Sequence, residues 1–326
     1  MIRLYPMKFQ PLFKEKIWGG AKIRDMLGLD FSPHTNCGEA WVLSGVPGSQ
    51  TPVVNGFLQG NELNELVEVY MDDLVGEKVF DRYGNEFPIL IKFIDANDYL
   101  SIQVHPDDKI ASERKIGNGK SEMWYILDAD PGAKLFSGFS KEMTREIFLD
   151  HLKRKSLEDI LNRERVSAGD AFYIPAGRIH ALGPGILLAE IQQTSDVTYR
   201  IYDWERVNDQ GKQRELHTDL ALEAIDFRQY ASYRSDFKNQ VNRATNVVDC
   251  PYFTTNMLNF NKRFTRDYTM VDSFVLLVCV GGSAEIHYEQ QNISLTRGET
   301  MLIPAEMETI LILPTPCCEI LEVYVS

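Results

Sequence analysis

Apolar residues fall in short runs, most of them four to eight residues long, separated by glycine, proline, asparagine and serine. Runs of that length between turn residues read as strands rather than helices. Phe87 to Ile94 is nearly all apolar and predicts a strand buried on both faces. Met123 to Leu127 predicts another, and Tyr99 to Val104 ends at Pro106 as strands often do. Residues 1–60 are turn-rich, with short strands such as Glu39 to Ser44 between the turns. Three stretches carry helical spacing instead. One runs from a cap at Asn61 to about Leu74, with Leu63, Leu66, Val67 and Tyr70 on one face. A second covers Lys141 to Asn162, with His151 on its solvated side. A short third covers Glu215 to Phe227 with Thr218 as its cap. Residues 228–250 are polar and poorly patterned and read as a linker. Beyond them the chain is all strand, with Gly281-Gly282 expected to turn a hairpin.

A segment recurs within this pattern. Gly169-Asp170-Ala171-Phe172-Tyr173-Ile174-Pro175 and Gly298-Glu299-Thr300-Met301-Leu302-Ile303-Pro304 share Gly-x5-Pro, an acidic residue after the glycine and Ile before the proline. The first copy continues to His180; the equivalent position in the second is Thr309. The halves therefore read as one β-unit duplicated, with ligand chemistry in the first copy only. The expected fold is mainly β: one barrel duplicated, with a few short helices. Residues 1–235 would form the metal-binding unit and 236–326 a degenerate one without metal ligands.

The candidate ligands follow from strand geometry. Side chains two apart on a strand share a face, so Gln103 and His105 can touch one object, although a histidine there also serves as a strand-end cap. The run Gly-x5-Pro-x-Gly-x2-His, complete from Gly169 to His180, resembles the second signature of the cupin barrel, which implies that the two barrels are cupin-type (jelly-roll) β-barrels. With Gln103, His105 and Glu122 in place of the first signature, the chain offers an amide, two imidazoles and a carboxylate. That set suits a borderline divalent ion, zinc above all. Lys120, Glu122 and Trp124 share parity. Glu190, Gln192, Thr194, Asp196, Thr198 and Arg200 do so too if their segment stays extended, with apolar residues alternating between them.

Composition narrows the alternatives. The chain has 326 residues and a net charge of −13, which argues against nucleic acid or an anionic membrane as partner. No apolar run reaches a membrane span, and the N-terminus lacks a signal-peptide core. Five cysteines without CxxC pairing fit a reduced, cytoplasmic protein. Gly117-Asn118-Gly119-Lys120-Ser121 ends like a phosphate-binding loop, but Arg114 stands where the first glycine is required. Asn292-Ile293-Ser294 is a chance glycosylation triplet, and His34, His217 and His287 have no ligand-spaced partners.

The segments Gln103-Val104-His105-Pro106, Gly119 to Tyr125, Pro175 to Ala181 and Ser195 to Trp204, with Lys16-Ile17-Trp18-Gly19-Gly20 and Gly38-Glu39-Ala40-Trp41, resemble the type I mannose-6-phosphate isomerases. The likeness covers almost the whole chain, and the length resembles that of the short bacterial branch; Ser121 stands where many members of the family have proline. The resemblance implies one zinc ion per chain on Gln103, His105, Glu122 and His180, a catalytic role for Arg200, and active-site positions for Lys120, Glu190 and Asp196. It implies mannose 6-phosphate and fructose 6-phosphate as substrates, interconverted through a cis-enediol, and a monomer or weak homodimer. Glu190 and Asp196 both stand open as the base. An iron-dependent cupin oxygenase and a non-catalytic sugar-phosphate sensor are the rival readings; Gln103 argues against the first, and Lys120, Glu190 and Arg200 against the second.

Overall fold

The computed structural model describes residues 3–207, 210–289 and 291–325. Its strands form three antiparallel sheets, so the chain is mainly β. A six-stranded sheet runs in the order Leu12–Lys14, Glu39–Leu43, Ile89–Ala96, Ile186–Gln193, Glu122–Ala129, Ala171–Ile174. A five-stranded sheet runs Tyr199–Tyr202, Ile102–Val104, His180–Leu182, Lys134–Phe139, Leu161–Arg165. The two share a core built on Ile94, Trp124, Ile126, Leu135, Phe172, Leu182 and Leu188. The outer face of the five-stranded sheet packs on helices Arg145–Lys153 and Thr218–Ala224 through Ile102, Phe136, Phe148 and Leu222.

The nearly all-apolar strand predicted at Phe87 to Ile94 also accounts for the other face. Ile89, Ile91 and Phe93 join a core with Leu63, Leu66 and Val67 of helix Leu63–Val75 and with Leu276, Val278, Leu321 and Val323 of the third sheet. Each fully buried residue of this kind contributes roughly 1.5–3 kcal/mol. The third sheet carries Val275–Tyr288 and Thr309–Tyr324 at its centre. Its far face is packed with Leu258, Phe260, Leu277, Ile286, Met301 and Ile320. Strand Met7–Lys8, from the start of the chain, completes an edge of this last sheet by pairing Met7 with Leu302 and Lys8 with Met301. No helix among the described residues is long and apolar enough to cross a membrane.

Both copies of Gly-x5-Pro fold as a turn entering a strand, with Gly169 at φ 92° and Gly298 at φ 89°. Several sequence expectations need correction. Lys141 to Asn162 is not one helix. Thr144 caps a helix of nine residues, Arg145–Lys153, by accepting from Ile147 N, and Leu161 already begins a strand. The cap of Leu63–Val75 is Glu62, whose N–H donates to Glu65 at 2.9 Å, not Asn61. His217, not Thr218, precedes the third helix. The polar stretch 228–250 contains the strand Arg243–Asp249, whose apolar residues Val247 and Val248 are buried.

Gly281 and Gly282 turn no hairpin; they lie inside Val275–Tyr288, where the register against Thr309–Tyr324 shifts. Gly282 takes φ 66°, and a Cβ there would meet the Cys317 carbonyl oxygen at 2.1 Å. Both the conformation and the contact exclude a side chain. Gly282→Ala should therefore lower stability by at least about 2 kcal/mol, read as a lower urea midpoint with an unchanged slope. An unchanged midpoint would mean that the strand relaxes around the methyl group.

Candidate active site and metal centre

Strand register assembles the site. In the five-stranded sheet Gln103 stands opposite His180 on one side and opposite Arg200 on the other. Opposed residues project to the same face, so these three side chains, distant in sequence, meet in the space between the sheets. From the facing sheet, Trp41, Lys92, Glu190 and Trp124 form one cross-strand row. Glu122 lies one pleat along from Trp124. The loop carrying Lys120 is pinned by Asp108, which accepts from Gly119 N and from Gln193 Nε2, both at 2.9 Å. Gln193 in turn accepts from Ser121 N at 2.9 Å.

His105, Glu122 and His180 are buried, and their ligand atoms lie within 4.8 Å of one another. His105 Nε2 is 3.0 Å from Glu122 Oε1, and His180 Nε2 is 3.8 Å from Glu122 Oε2. The far ring nitrogens are committed elsewhere: His105 Nδ1 to the Val197 carbonyl at 2.9 Å, His180 Nδ1 to the Arg178 carbonyl at 2.8 Å. A ring that donates from Nδ1 to a carbonyl keeps a lone pair on Nε2, the arrangement of a metal-ligating histidine. Gln103 brings its side-chain amide nitrogen to 3.3 Å from His180 Nε2; turning the amide over presents the oxygen instead. Among the described residues, neither oxygen of Glu122 nor His105 Nε2 has a hydrogen-bond partner. Buried polar atoms are rarely left so. Here they converge on one point, which fits a divalent cation.

The electrostatics agree. Burial, then the nearby Lys120 charge, pushes His105 down to about 3, and burial also lowers His180. Burial opposes the charge on Glu122, but Lys120 and the two imidazoles outweigh it and hold the carboxyl well below its ordinary value. Neutral imidazoles and an ionised carboxylate are the ligand forms a metal requires.

A cleft of about 280 Å³ opens beside this group, lined by Gln103, Lys120, Glu190, Asp196 and Arg200 among others. Lys120 Nζ is 2.9 Å from Glu122 Oε1. Glu190 is held by Lys92 at 3.2 Å and by the Trp124 indole N–H at 2.9 Å; burial, then the Glu122 charge, raises its carboxyl. Asp196 is exposed at the cleft. The segment from Glu190 to Arg200 does not stay extended. It leaves one sheet after Gln193 and enters the other at Tyr199, with the Gln192 amide donating to the Gln193 and Ser195 carbonyls across the bend. The crossing wraps the cleft, so Glu190, Asp196, Thr198 and Arg200 line it nonetheless, while Gln192 does not. All eight expected site residues thus come together.

Lys16, Glu39, Trp41, Lys92 and Arg214 also line the cleft and had no assigned role from the sequence. Lys92 did leave a signal: it is the single charge inside the run Phe87 to Ile94. His217, which has no ligand-spaced partner in the sequence, stands behind Arg200 and accepts its backbone N–H at 3.1 Å. His151 closes the end of its helix against Ser156, with Nδ1 2.9 Å from the hydroxyl.

Glu39 yields a pH test. Burial opposes its charge, but Lys92 and Lys16 outweigh it and hold the carboxyl at about 2, below the ordinary 4.5. A pKa depressed by folding stabilises the protein above 4.5, and that stabilisation is lost as pH falls towards 2. Stability of the unaltered protein should fall more steeply across this window than that of Glu39→Gln, by denaturant titration at each pH. Parallel profiles would show that the lysines do not hold Glu39.

Residues 7–132 match the family phosphomannose isomerase type I, catalytic domain, and residues 243–322 match mannose-6-phosphate isomerase, cupin domain. Mannose-6-phosphate isomerase ManA of Bacillus subtilis is 34% identical over 302 residues, 92% of this chain and 93% of that protein. The mannose-6-phosphate isomerase of Streptococcus mutans is 33% identical, with 92% of each chain covered. The crystal structure of the mannose 6-phosphate isomerase from Bacillus subtilis aligns with a TM-score of 0.87 at 32% identity, over 98% of this chain and 99% of that one. One sheet architecture and identity sustained along nearly the whole of both chains mean that this chain belongs to the type I phosphomannose isomerases.

Proposed function

We propose that the protein interconverts mannose 6-phosphate and fructose 6-phosphate with one zinc ion held by Gln103, His105, Glu122 and His180. The observation that carries this reading is the convergence of unpartnered, buried ligand atoms from His105 and Glu122 on one point beside a charged cleft. Bound there, the ion would supply Lewis acidity to the oxygens on C1 and C2 of the sugar. Residues 1–235 act as a metal-binding cupin barrel and 236–326 as a degenerate one. The five free cysteines fit a reducing cytoplasm.

The chemistry asked of the side chains is a proton transfer. A base takes the proton from C2, and the electron pair it leaves forms the C1–C2 double bond while O1 gains charge. A proton passes from the C2 hydroxyl to O1, and return of the first proton to C1 then leaves a hydroxyl on C1 and the carbonyl on C2. Glu190 is better suited than Asp196 to be that base, because its carboxyl is buried and raised towards neutrality, whereas Asp196 is exposed. The Arg200 guanidinium, with a buried and unpartnered Nε, donates to the developing oxyanion. Lys120 polarises a sugar oxygen or assists ring opening.

Elemental analysis should find one equivalent of zinc per chain. His105→Ala/His180→Ala should bind none, since two imidazoles are lost. Arg200→Ala removes no ligand; it should keep the metal and lose turnover about 10²-fold or more. Two equivalents, or metal retained by the double variant, would overturn the site.

Run in heavy water, the reaction should place deuterium on C1 of fructose 6-phosphate, seen by NMR at early conversion. Glu190→Gln should abolish turnover and exchange together while the metal stays bound. Full retention of label from C2-deuterated substrate in light water would instead support a hydride shift.

A further inference from the structure

The cleft is lined by five cations, and their partners divide them into two kinds. Lys16, Lys92 and Lys120 each face a carboxylate, on Glu39, Glu190 and Glu122, at 3.2, 3.2 and 2.9 Å. Their charge is spent within the protein. The two guanidiniums differ. Arg200 has no carboxylate partner among the described residues; its Nη1 donates to the Glu215 carbonyl at 2.9 Å, and its Nε is buried without a partner.

Arg214 is clamped along one edge only. Its Nε donates to Asp203 Oδ2 at 2.7 Å and its Nη2 to Asp203 Oδ1. Its Nη1 makes no hydrogen bond among the described residues. Asp203 is buried and shared, since Arg206 Nη2 donates to the same Oδ1 at 2.6 Å. Arg206 also reaches the exposed Asp98 at 3.4 Å. Three guanidiniums thus stand against Asp203 and Asp98. After burial, the Arg214 charge is the next cause lowering Arg200, so the two repel one another across the cleft wall. A dianion between them removes that repulsion and meets guanidinium geometry well.

Distance along the sheet places this pair relative to the chemistry. His180, Gln103 and Arg200 stand on successive strands, at about 4.8 Å per strand. Arg200 is on the edge strand, and the segment carrying Arg214 lies beyond it, tied there by His217 N donating to the Arg200 carbonyl at 2.7 Å. In a hexose 6-phosphate six bonds separate C2 from phosphorus, roughly 7 Å when extended at about 1.5 Å per bond. With C1 and C2 at the metal ligands, the phosphate reaches the edge of the sheet.

We infer that Arg214, oriented by Asp203, anchors the phosphate monoester of the substrate, with Arg200 between it and the reacting carbons. The inference rests on the proposed isomerase reading. Asp203 is a positioning residue: it fixes one edge of the Arg214 fork and leaves the other for the anion.

The test uses metal-loaded, full-length protein. Arg214→Gln should raise KM for mannose 6-phosphate about 10- to 100-fold, the scale of a lost charge-assisted bond, with a smaller effect on kcat. Its affinity for inorganic phosphate, measured by ³¹P NMR, should fall by a similar factor. Arg214→Lys, which keeps charge but not the fork, should lie between. Unchanged KM and phosphate affinity in Arg214→Gln would overturn the inference and leave the isomerase reading standing. So would a raised KM and a lowered phosphate affinity in Lys16→Met but not in Arg214→Gln, which would put the anchor at the opposite wall. If the unaltered protein does not isomerise mannose 6-phosphate, yet Arg214→Gln still loses phosphate affinity, the isomerase reading fails and the anion anchor survives.

Discussion

A carboxylate buried between two sheets has to be answered, and Glu122 imposes that demand on the whole interior. Desolvating an ion costs several kcal/mol, and a neighbouring charge recovers this only with good geometry. The protein contains a comparison within itself. Glu322, buried in the last sheet, has both oxygens satisfied: Arg266 donates to each at 2.6 and 2.7 Å, Tyr268 to one at 2.9 Å and Asn256 to the other at 3.0 Å. Glu122 has Lys120 and two imidazoles nearby, and among the described residues neither of its oxygens has a hydrogen-bond partner. The first carboxylate is closed by the protein; the second stays open, as the proposed metal site requires.

The row of charge around Glu122 follows from the same demand. Lys92 lies between Glu190 and Glu39, and Lys16 is beyond Glu39, so signs alternate along the cleft wall. Burial works against the charge on Lys92, and Glu190, Glu39 and Glu122 together hold it charged. Such a row adds little net stability, and the apolar residues on the outer faces of the two sheets carry that load. What it provides is a set of dipoles and charges already in place before substrate arrives.

Much of this was legible in the residues. Strand periodicity is local, so Phe87 to Ile94, Met123 to Leu127 and the final strands could be read directly. The candidate metal ligands could be picked out because their residue types and spacings are restrictive. The sequence could not show which strands pair, and pairing is what sets Gln103 between His180 and Arg200. It also misled where a pattern has two causes. Gly281-Gly282 resembles a turn, but a glycine is equally needed where a strand bends against a neighbouring carbonyl. The stripe from Lys141 to Asn162 ran a helix, a turn and a strand together, because each buries an apolar side chain at roughly the same interval. Arg214 was invisible for a different reason: it lies in a polar loop, and only the buried Asp203 distinguishes it from any surface arginine.

The strand Met7–Lys8 ties the beginning of the chain to the edge of its last sheet. During synthesis Met7 and Lys8 emerge well before Met301 and Leu302, so this pairing closes only once Thr300–Ile303 has been made. Without Met7–Lys8, Thr300–Ile303 would have an open edge, and open edges recruit strands from other chains. A truncated form that begins after this strand would keep the open edge permanently, which makes Met7–Lys8 a guard against self-association as well as a part of the fold.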